Sequence, residues 1–254
     1  MNFSKAHAFV TGGASGLGAA TVEAVVEAGG HASIVDIDGD RAAALAARLG
    51  ARSRAAALDV ADEAAVADAV AASVSAFGPL NLVVNCAGVA TPGRIVGRNG
   101  PLPLEAYVRV IQINLVGTFN VMKATAAVMQ ENEFDGDDRG LIVNTASVAA
   151  FDGQIGQGAY ASSKGGVAAL TLPAARELAR AAIRVVTIAP GLFETPMLAG
   201  LPEAAKESLI ASTLQPSRLG RSEEYAALVR HVYENPMING ETIRLDGAVR
   251  LAPR

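Results

Sequence analysis

Short apolar runs alternate with longer segments of helical spacing along the whole chain. The short runs predict seven strands, at residues 7–11, 31–36, 54–59, 81–85, 141–146, 183–189 and 241–245. The segments between them have helical periodicity and end at glycines such as Gly50 and Gly78. Strands that alternate with helices form a parallel sheet covered on both faces. The pattern therefore predicts an α/β fold, a doubly wound parallel sheet of seven strands, in a single domain covering residues 1–254.

Three stretches interrupt this alternation, at residues 91–103, 131–140 and 191–216. In open α/β sheets the ligand lies in the crevice beyond the carboxyl ends of the strands. The first and third stretches follow strands, so we expect them to border a ligand, and 191–216 is the predicted substrate loop. The acidic stretch 131–140 joins a helix to a strand start and is predicted to be a solvated loop.

Composition and charge exclude several classes of protein. The chain has a net charge of −4 and its 21 bases are scattered, which disfavours nucleic-acid binding. The most apolar stretch, 108–129, contains Arg109 and Lys123 and does not suit a membrane span. A single cysteine and three separated histidines predict no internal disulfide and no metal site. The first residues leave no room for a signal peptide, so we expect a cytoplasmic protein.

A glycine-rich turn joins the first predicted strand to the first helix. Residues 11–18 read Thr-Gly-Gly-Ala-Ser-Gly-Leu-Gly. Such a turn lets backbone N–H groups approach a pyrophosphate at the positive end of the helix, although a glycine turn is also compatible with tight packing alone. The turn favours a Rossmann-type dinucleotide site. Its candidate binding residues are Gly12, Ser15, Gly16, Leu17 and Gly18.

Further candidates for cofactor binding stand where later strands end. Asp36 ends the second strand, where an acid can accept hydrogen bonds from an adenosine ribose. Because Asp38 and Asp40 would repel a 2′-phosphate, we predict NAD rather than NADP; the alternative for Asp36 is an ordinary turn residue. The other candidates at strand ends are Asp59, Val60, Asn85, Cys86, Ala87 and Gly88.

Four polar residues form a candidate proton-handling group. Tyr160 and Lys164 are four apart in a predicted helix and therefore share one face. An ammonium near a phenol lowers the pKa of the phenol, and moving it from about 10 to about 7 takes roughly 4 kcal/mol. We expect Lys164 and a positively charged nicotinamide to supply this. Ser147 ends the fifth strand and can hold a substrate oxygen, and Asn114 is a polar residue inside a long helix.

Together these residues resemble the short-chain dehydrogenases/reductases. The family signature is T-G-x-x-x-G-x-G, N-x-A-G, a helical Asn, a Ser and Y-x-x-x-K, and all five parts are present in order, at 11–18, 85–88, 114, 147 and 160–164. Within this family the chain is similar to the type-2 3-hydroxyacyl-CoA dehydrogenases, also called type-ten 17β-hydroxysteroid dehydrogenases. The resemblance rests on residues 85–88, 144–151, 187–193 and 243–247.

The resemblance implies a role for each candidate. Tyr160 would be the base, Lys164 would bind the nicotinamide ribose and tune Tyr160, Ser147 would hold the substrate oxygen, and Asn114 would support a water-linked proton path. It also implies a homotetramer, which the long helices 104–131 and 158–180 could build. Four more residues after the sixth strand are expected to contact NAD: Pro190, Gly191, Phe193 and Thr195.

The predicted activity is NAD-dependent interconversion of a secondary alcohol and a ketone, with a 3-hydroxyacyl-CoA as the first candidate substrate and a hydroxysteroid as the alternative. The substrate loop is rich in apolar side chains that can cover an acyl chain or steroid, unless it instead packs on a neighbouring subunit. These are Phe193, Met197, Leu198, Leu201, Leu209, Ile210 and Leu214. Arg94, Arg98 and Lys206 are candidates for meeting the phosphates of CoA. Two alternative hypotheses remain from other functional classes: a non-catalytic NAD-binding scaffold and an interaction subunit.

Overall fold

The computed structural model describes residues 1–98, 100–196 and 213–253. Within these residues, seven longer strands and two short ones alternate with seven α-helices. The strands are β1 His7–Thr11, β2 His31–Asp36, β3 Ser53–Ala57, β4 Leu82–Asn85, β5 Val96–Gly97, β6 Gly100–Pro101, β7 Gly140–Thr145, β8 Ile183–Pro190 and β9 Thr242–Leu245. The helices are α1 Gly16–Glu27, α2 Gly39–Leu49, α3 Glu63–Phe77, α4 Leu104–Ile111, α5 Gly117–Met129, α6 Gly158–Leu178 and α7 Ser222–Glu234.

The seven longer strands form one sheet in the order β3-β2-β1-β4-β7-β8-β9. Every neighbouring pair in this sheet is parallel. The chain winds outward from β1 to β3 and then crosses back to β4, so the order reverses between β1 and β4. This is the switch point at which doubly wound sheets bind their ligands. The predicted Rossmann-type α/β fold is confirmed, and β5 and β6 form a separate small hairpin.

Helices cover both faces of the sheet, and each face has its own apolar core. One core joins the sheet to α1, α2 and α7, and it contains the fully buried Val22, Tyr225 and Tyr233. The other joins the sheet to α3, α5 and α6, with Val70 and Met129 among its buried members. The central strands are buried on both faces because they lie between these layers, which explains why their sequences are apolar runs rather than alternating patterns. The edge strands β3 and β9 are only partly buried.

Aspartate side chains cap the starts of two helices. Asp38 and Asp62 cap α2 and α3 by accepting hydrogen bonds from the N–H groups of Arg41 and Ala65, both at 3.0 Å. The predicted helix 104–131 is interrupted by a π-helical segment, Gln112–Val116, between α4 and α5. A π-helical turn inside an α-helix is frequently found at a functional site, and Asn114 lies in this one.

The segment before β7 is less solvated than the sequence predicted. Most of residues 131–140 are exposed, but Asp138 is only 4% exposed and its carboxylate lies 2.9 Å from Nε of the buried Arg184. A buried guanidinium needs an anionic partner, so the prediction of a solvated loop is wrong for Asp138.

Within residues 1–98, 100–196 and 213–253, no helix combines the length and the apolar character needed to cross a bilayer. The same residues contain no group of three or more His, Cys, Asp or Glu side chains placed to hold a metal ion.

Candidate active site

A cavity of about 680 Å³ opens at the carboxyl ends of the central strands. Its size is typical of a small-molecule or cofactor site. It extends from the glycine turn after β1 to the start of α6, and it passes Asp36 at the end of β2 and Ser147 just after β7. The cavity therefore lies at the switch point of the sheet.

This cavity brings together most of the residues predicted from the sequence. The predicted residues that line it are Gly12, Ser15, Gly16, Leu17, Gly18, Asp36, Asp59, Val60, Cys86, Ala87, Gly88, Ser147, Tyr160, Lys164, Pro190, Gly191, Phe193 and Thr195. Two predicted residues, Asn85 and Asn114, are buried behind the wall rather than on it. Asn85 donates a hydrogen bond to Asn144 across neighbouring strands, with an N–O distance of 3.0 Å, so its side chain joins β4 to β7.

The glycine turn is shaped for close backbone approach. Gly12 has a φ of +61°, and a Cβ there would lie 2.7 Å from the backbone nitrogen of Ala87. Ser15 precedes α1, but among the described residues its side chain makes no capping hydrogen bond to the helix. The first N–H groups of α1 are thus left for a ligand on the cavity side, where the positive end of the helix dipole favours a phosphate. These features fit a dinucleotide pyrophosphate.

Asp36 is held in a fixed orientation by the backbone. Its two carboxylate oxygens accept hydrogen bonds from the N–H groups of Ala14, at 3.0 Å, and of Asp38, at 3.1 Å. Each carboxylate oxygen can accept a further hydrogen bond from a ligand hydroxyl. The nearest base along the chain, Arg41, lies 3.5 Å from the carboxylate of Asp38 and forms an exposed ion pair with it.

Asn114 supports the cavity wall from inside the π-helical turn. Its side-chain oxygen accepts a hydrogen bond from the N–H of Val89 at 2.8 Å, and its amide nitrogen donates to the carbonyl of Val89 at 2.9 Å and to the hydroxyl of Ser163 at 3.0 Å. These bonds tie the segment after β4 to α6. The structure thus gives this side chain a bracing role.

Tyr160 lies in the first turn of α6 with its side chain on the cavity wall. Burial raises the pKa of the Tyr160 phenol above its usual value of 10.0, while hydrogen bonding by Ser147 lowers it. The sequence predicted a lowered pKa in the presence of both Lys164 and a bound nicotinamide; in the protein alone, the cost of desolvating the phenolate is the larger effect. Any net lowering has to come from groups that a ligand brings into the cavity.

Lys164 is buried next to Tyr160, with Nζ 5.9 Å from the centre of the Tyr160 ring. Burial lowers the pKa of Lys164 from 10.5 to about 8. Among the described residues, the Lys164 ammonium donates a hydrogen bond only to the backbone carbonyl of Thr145, at 2.7 Å. Since an ammonium has three donors, two remain for a ligand in the cavity.

The segment after β8 contributes to the cavity only in part. Phe193 lines it but is also 5% exposed and packed into the core shared with α1 and α7, so the expectation that it covers a substrate as part of a lid is wrong. Leu214 is 70% exposed. The other apolar loop residues and one base predicted to meet CoA lie outside the described residues: Met197, Leu198, Leu201, Leu209, Ile210 and Lys206.

Several lining residues were not predicted from the sequence. Thr145 stands two positions before Ser147 on β7, and that spacing is a signal that could have found it. Arg109 brings a cation to the cavity from α4, and no sequence motif marks it. The remaining unpredicted lining residues are Val35, Ile37, Leu58, Val89, Ala90, Thr91, Ile113, Ala146 and Pro196.

This combination of a parallel doubly wound sheet, a glycine turn and a Ser-Tyr-Lys group defines a class of nicotinamide-dependent oxidoreductases. The chain belongs to the short chain dehydrogenase family, whose model matches residues 6–206. Dehydrogenases of this family use a nicotinamide cofactor.

Individual relatives of this chain have names that are more specific than the family description. The chain is 50% identical to 3-hydroxyacyl-CoA dehydrogenase type-2 of Drosophila melanogaster, over 96% of this chain and 97% of the relative. It is 49% identical to the Homo sapiens protein of the same name, over 97% of this chain and 95% of that one. The crystal structure of 3-hydroxyacyl-CoA dehydrogenase type-2 from Mycobacterium avium superposes with a TM-score of 0.95, at 40% identity, covering 99% of this chain and 98% of the other.

Proposed function

We propose that this protein is an NAD-dependent dehydrogenase that interconverts a 3-hydroxyacyl-CoA and the corresponding 3-ketoacyl-CoA. One observation carries the proposal: Ser147, Tyr160 and Lys164 line the same cavity as the glycine turn, in a chain about 50% identical to type-2 3-hydroxyacyl-CoA dehydrogenases over nearly its whole length. The unit responsible is the single domain of residues 1–254.

The proposed chemistry assigns a separate task to each of the three side chains. Ser147 donates a hydrogen bond to the substrate oxygen and holds it next to the Tyr160 hydroxyl. Tyr160 in its phenolate form accepts the hydroxyl proton at Oη while the alcohol carbon becomes a carbonyl. One N–H group of the Lys164 ammonium is bonded to the Thr145 carbonyl, and its other two N–H groups donate hydrogen bonds to the bound ligand. A nicotinamide cofactor held in this cavity would supply the acceptor for the hydride that leaves the alcohol carbon.

The tuning of Tyr160 follows from its surroundings. Burial alone raises the pKa of the phenol, so the phenolate must be stabilised by the ammonium of Lys164, by the Ser147 hydroxyl and by the positive charge of oxidised nicotinamide. Such a base becomes effective near neutral pH only when the cofactor is bound. This arrangement supports an ordered reaction in which the cofactor enters before the substrate.

The preference for NAD is supported by the charge around Asp36. The carboxylate of Asp36 lines the cavity and is fixed by two backbone N–H groups, in the position suited to the two hydroxyls of an adenosine ribose. A 2′-phosphate placed there would meet a carboxylate, and Arg41 is paired with Asp38 rather than directed to the cavity. Repulsion of this kind selects against NADP.

An acyl-CoA substrate is supported by the relatives and by two exposed bases. Arg94 and Arg98 are exposed on the segment that follows β4, where they can meet phosphates. A steroid would need the apolar surface but not these charges. The response to phosphate-bearing substrates therefore separates the first candidate from the alternative.

Three further proposals concern the setting of the enzyme. We propose a homotetramer, because the long helices predicted to pair expose large apolar side chains, which are Leu104, Val108, Val116, Phe119 and Leu172. We also propose a cytoplasmic location and a place in fatty acid metabolism. Light scattering of the purified protein tests the first, and cell fractionation tests the second.

The proposed activity is tested by following NADH absorbance with four compounds. Acetoacetyl-CoA with NADH should be reduced readily, and acetoacetate without CoA should be reduced much more slowly because it lacks the phosphates. A hydroxysteroid and a simple sugar alcohol are then offered with NAD. Preference for the steroid would support the alternative substrate class, and preference for the sugar alcohol would contradict the proposal. No turnover with any alcohol would favour a non-catalytic NAD-binding scaffold.

A further inference from the structure

Three side chains from distant parts of the chain form a closed hydrogen-bonded ring at the cavity wall, where two of them line the cavity and the third is buried behind it. The Thr145 hydroxyl at the end of β7 lies 2.7 Å from the Tyr225 hydroxyl on α7 and 3.5 Å from the sulfur of Cys86, just after β4. The Cys86 sulfur lies 3.8 Å from the Tyr225 hydroxyl and closes the ring. We call these residues, Cys86, Thr145 and Tyr225, the ring.

Every member of the ring can act as both donor and acceptor. The directions are consistent: Thr145 donates to Cys86, Cys86 donates to Tyr225, and Tyr225 donates to Thr145. Burial raises the pKa of the Cys86 thiol and raises that of the Tyr225 phenol well above 10.0, so both groups keep their protons at neutral pH. Closed rings of this kind are cooperative, because each bond polarises the next.

The ring is connected to the proposed catalytic group through one backbone carbonyl. Thr145 belongs to the ring through its side-chain hydroxyl. The backbone carbonyl of Thr145 also accepts the hydrogen bond from the Lys164 ammonium. Thr145 is thus hydrogen-bonded to Lys164 through its backbone carbonyl and to Tyr225 through its side-chain hydroxyl. A displacement of Thr145 would move the acceptor that positions the ammonium.

A second tyrosine on the same helix shows that this contact is not needed merely to bury an aromatic ring. Tyr233 lies eight residues further along α7 and, like Tyr225, is 0% exposed. Its hydroxyl has no hydrogen-bond partner among the residues that the structure describes. Both rings fill the same core, yet only Tyr225 directs its hydroxyl to a residue that contacts Lys164.

We propose that Tyr225 is a positioning residue of this enzyme, which acts through the side chain of Thr145 to fix the Lys164 ammonium beside Tyr160 and the cofactor. The proposal rests on the proposed function for the role of Lys164. It assigns to α7, on the opposite face of the sheet from α6, a part in the chemistry. Tyr225 contacts no substrate and takes no proton.

The test compares Tyr225→Phe with Tyr233→Phe. Each variant removes one buried hydroxyl from α7 and leaves the aromatic ring of that side chain in place. We expect kcat of Tyr225→Phe to fall about five-fold and its Kd for NADH to rise about five-fold, the effect of losing about one neutral hydrogen bond. Tyr233→Phe should match the wild type in both.

The pH profile gives a readout that a purely structural role would not move. A less well held ammonium stabilises the Tyr160 phenolate less, so the acid limb of the kcat profile of Tyr225→Phe should move up by about half a pH unit. Of the other titratable side chains that line the cavity, Asp36, Asp59 and Arg109 are not members of the ring. Cys86 loses its Tyr225 partner in Tyr225→Phe, but burial raises the pKa of its thiol and the lost hydrogen bond had lowered that pKa, so the thiol stays protonated. The chain has only four tyrosines, so carbon NMR of labelled tyrosine can follow the Tyr160 titration directly, with NAD bound and without turnover.

Two outcomes overturn the proposal: an NADH affinity and a Tyr160 titration in Tyr225→Phe that equal those of the wild type, or equal changes in Tyr225→Phe and Tyr233→Phe. Should Tyr225→Phe fail to fold, Thr145→Val and Thr145→Ser replace it, since valine removes the hydroxyl and serine keeps it. We expect Thr145→Val to show the larger shift, and equal shifts would contradict the proposal. If the wild type binds NADH but reduces no acyl-CoA, the proposed function fails while the binding and NMR arms still decide the role of Tyr225.

Discussion

The two ends of the central sheet differ in how completely their buried polar groups are hydrogen-bonded within the protein. At the amino end, the buried guanidinium of Arg184 donates to Asp138 and to the carbonyls of Val232, Tyr233, Asn235 and Ile238, at 2.8–3.3 Å. At the carboxyl end, the buried ammonium of Lys164 donates to one carbonyl among the described residues. Both cations are about 5% exposed or less.

His7 extends the same contrast. It lies at the first position of β1, where its ring is bonded on both nitrogens, to the carbonyl of Gly78 at 3.0 Å and to the hydroxyl of Ser73 at 2.8 Å. At the opposite end of the strand, the first turn of α1 has no side-chain cap within the described residues. Saturated polar groups hold a fold together, whereas buried donors with spare capacity are available to a ligand.

The largest expected effect sharpens the comparison at the carboxyl end. Tyr160→Phe removes the proposed proton acceptor but leaves the aromatic ring, so turnover should fall about ten-thousand-fold, near the upper range for a general base. NADH affinity, measured by fluorescence titration, should stay within about three-fold of the wild type. Turnover that survives the change would contradict the assignment of the base.

The next prediction compares the change in the free energy of unfolding when each of the two buried cations is removed. Arg184→Met leaves the Asp138 carboxylate buried without its partner, so the free energy of unfolding should drop by about 4 kcal/mol. Lys164→Met should unfold no more easily than the wild type at pH 7, because burial lowers the pKa of Lys164 to about 8 and the charged form is therefore costly to bury.

Chemical denaturation of both variants measures this difference. Arg230→Met is the control, since Arg230 forms an exposed pair with Glu234 at 3.2 Å and such pairs contribute about 1 kcal/mol or less. Equal losses of stability in Arg184→Met and Lys164→Met would break the contrast between the two ends of the sheet.

A smaller effect concerns pH and stability at the amino end. Burial lowers the pKa of His7 from 6.5 to about 4. Between these values the unfolded chain binds the proton and the folded chain does not, so stability rises with pH and is lost as the pH falls below 6.5. The full loss corresponds to about 3 kcal/mol. Urea denaturation between pH 7 and pH 4.5 measures it.

The matched variant for this prediction is His7→Asn, which has no group that titrates between pH 4 and pH 7. Its stability should therefore change less over that range than that of the wild type. Glu224, whose carboxyl pKa Arg218 lowers to about 2, acts only in more acidic solution. Parallel pH profiles for the wild type and His7→Asn would show that His7 is not the source.

The smallest effect concerns cofactor choice. Asp36→Asn keeps one of the two oxygens that accept backbone hydrogen bonds and removes the charge, so the ratio of kcat/KM for NADP to that for NAD should rise about ten-fold, on the order of one charge interaction near the surface. Asp40→Asn makes the same charge change at an exposed position outside the cavity and should alter the ratio less. A larger effect at Asp40 would assign the selectivity to the general charge of this edge.

The sequence by itself determined the sheet and most of the site. The seven strands occur within a residue or two of their predicted positions, because fully buried parallel strands are short apolar runs and their helices end at Gly50, Gly78 and similar glycines. The glycine turn, Asp36, Ser147, Tyr160 and Lys164 were predicted because each depends on its neighbours in sequence or on its place at a strand end.

The tertiary structure alone decided which polar groups are saturated and which are left available. No local pattern shows that Asp138 reaches Arg184, that burial outweighs other effects on the pKa of Tyr160, or that Tyr225 meets Cys86 and Thr145 across 139 and 80 residues of chain. Desolvation and hydrogen bonding depend on distances in space. Those distances are set by how the two helical layers pack on the sheet, and a linear sequence does not display them.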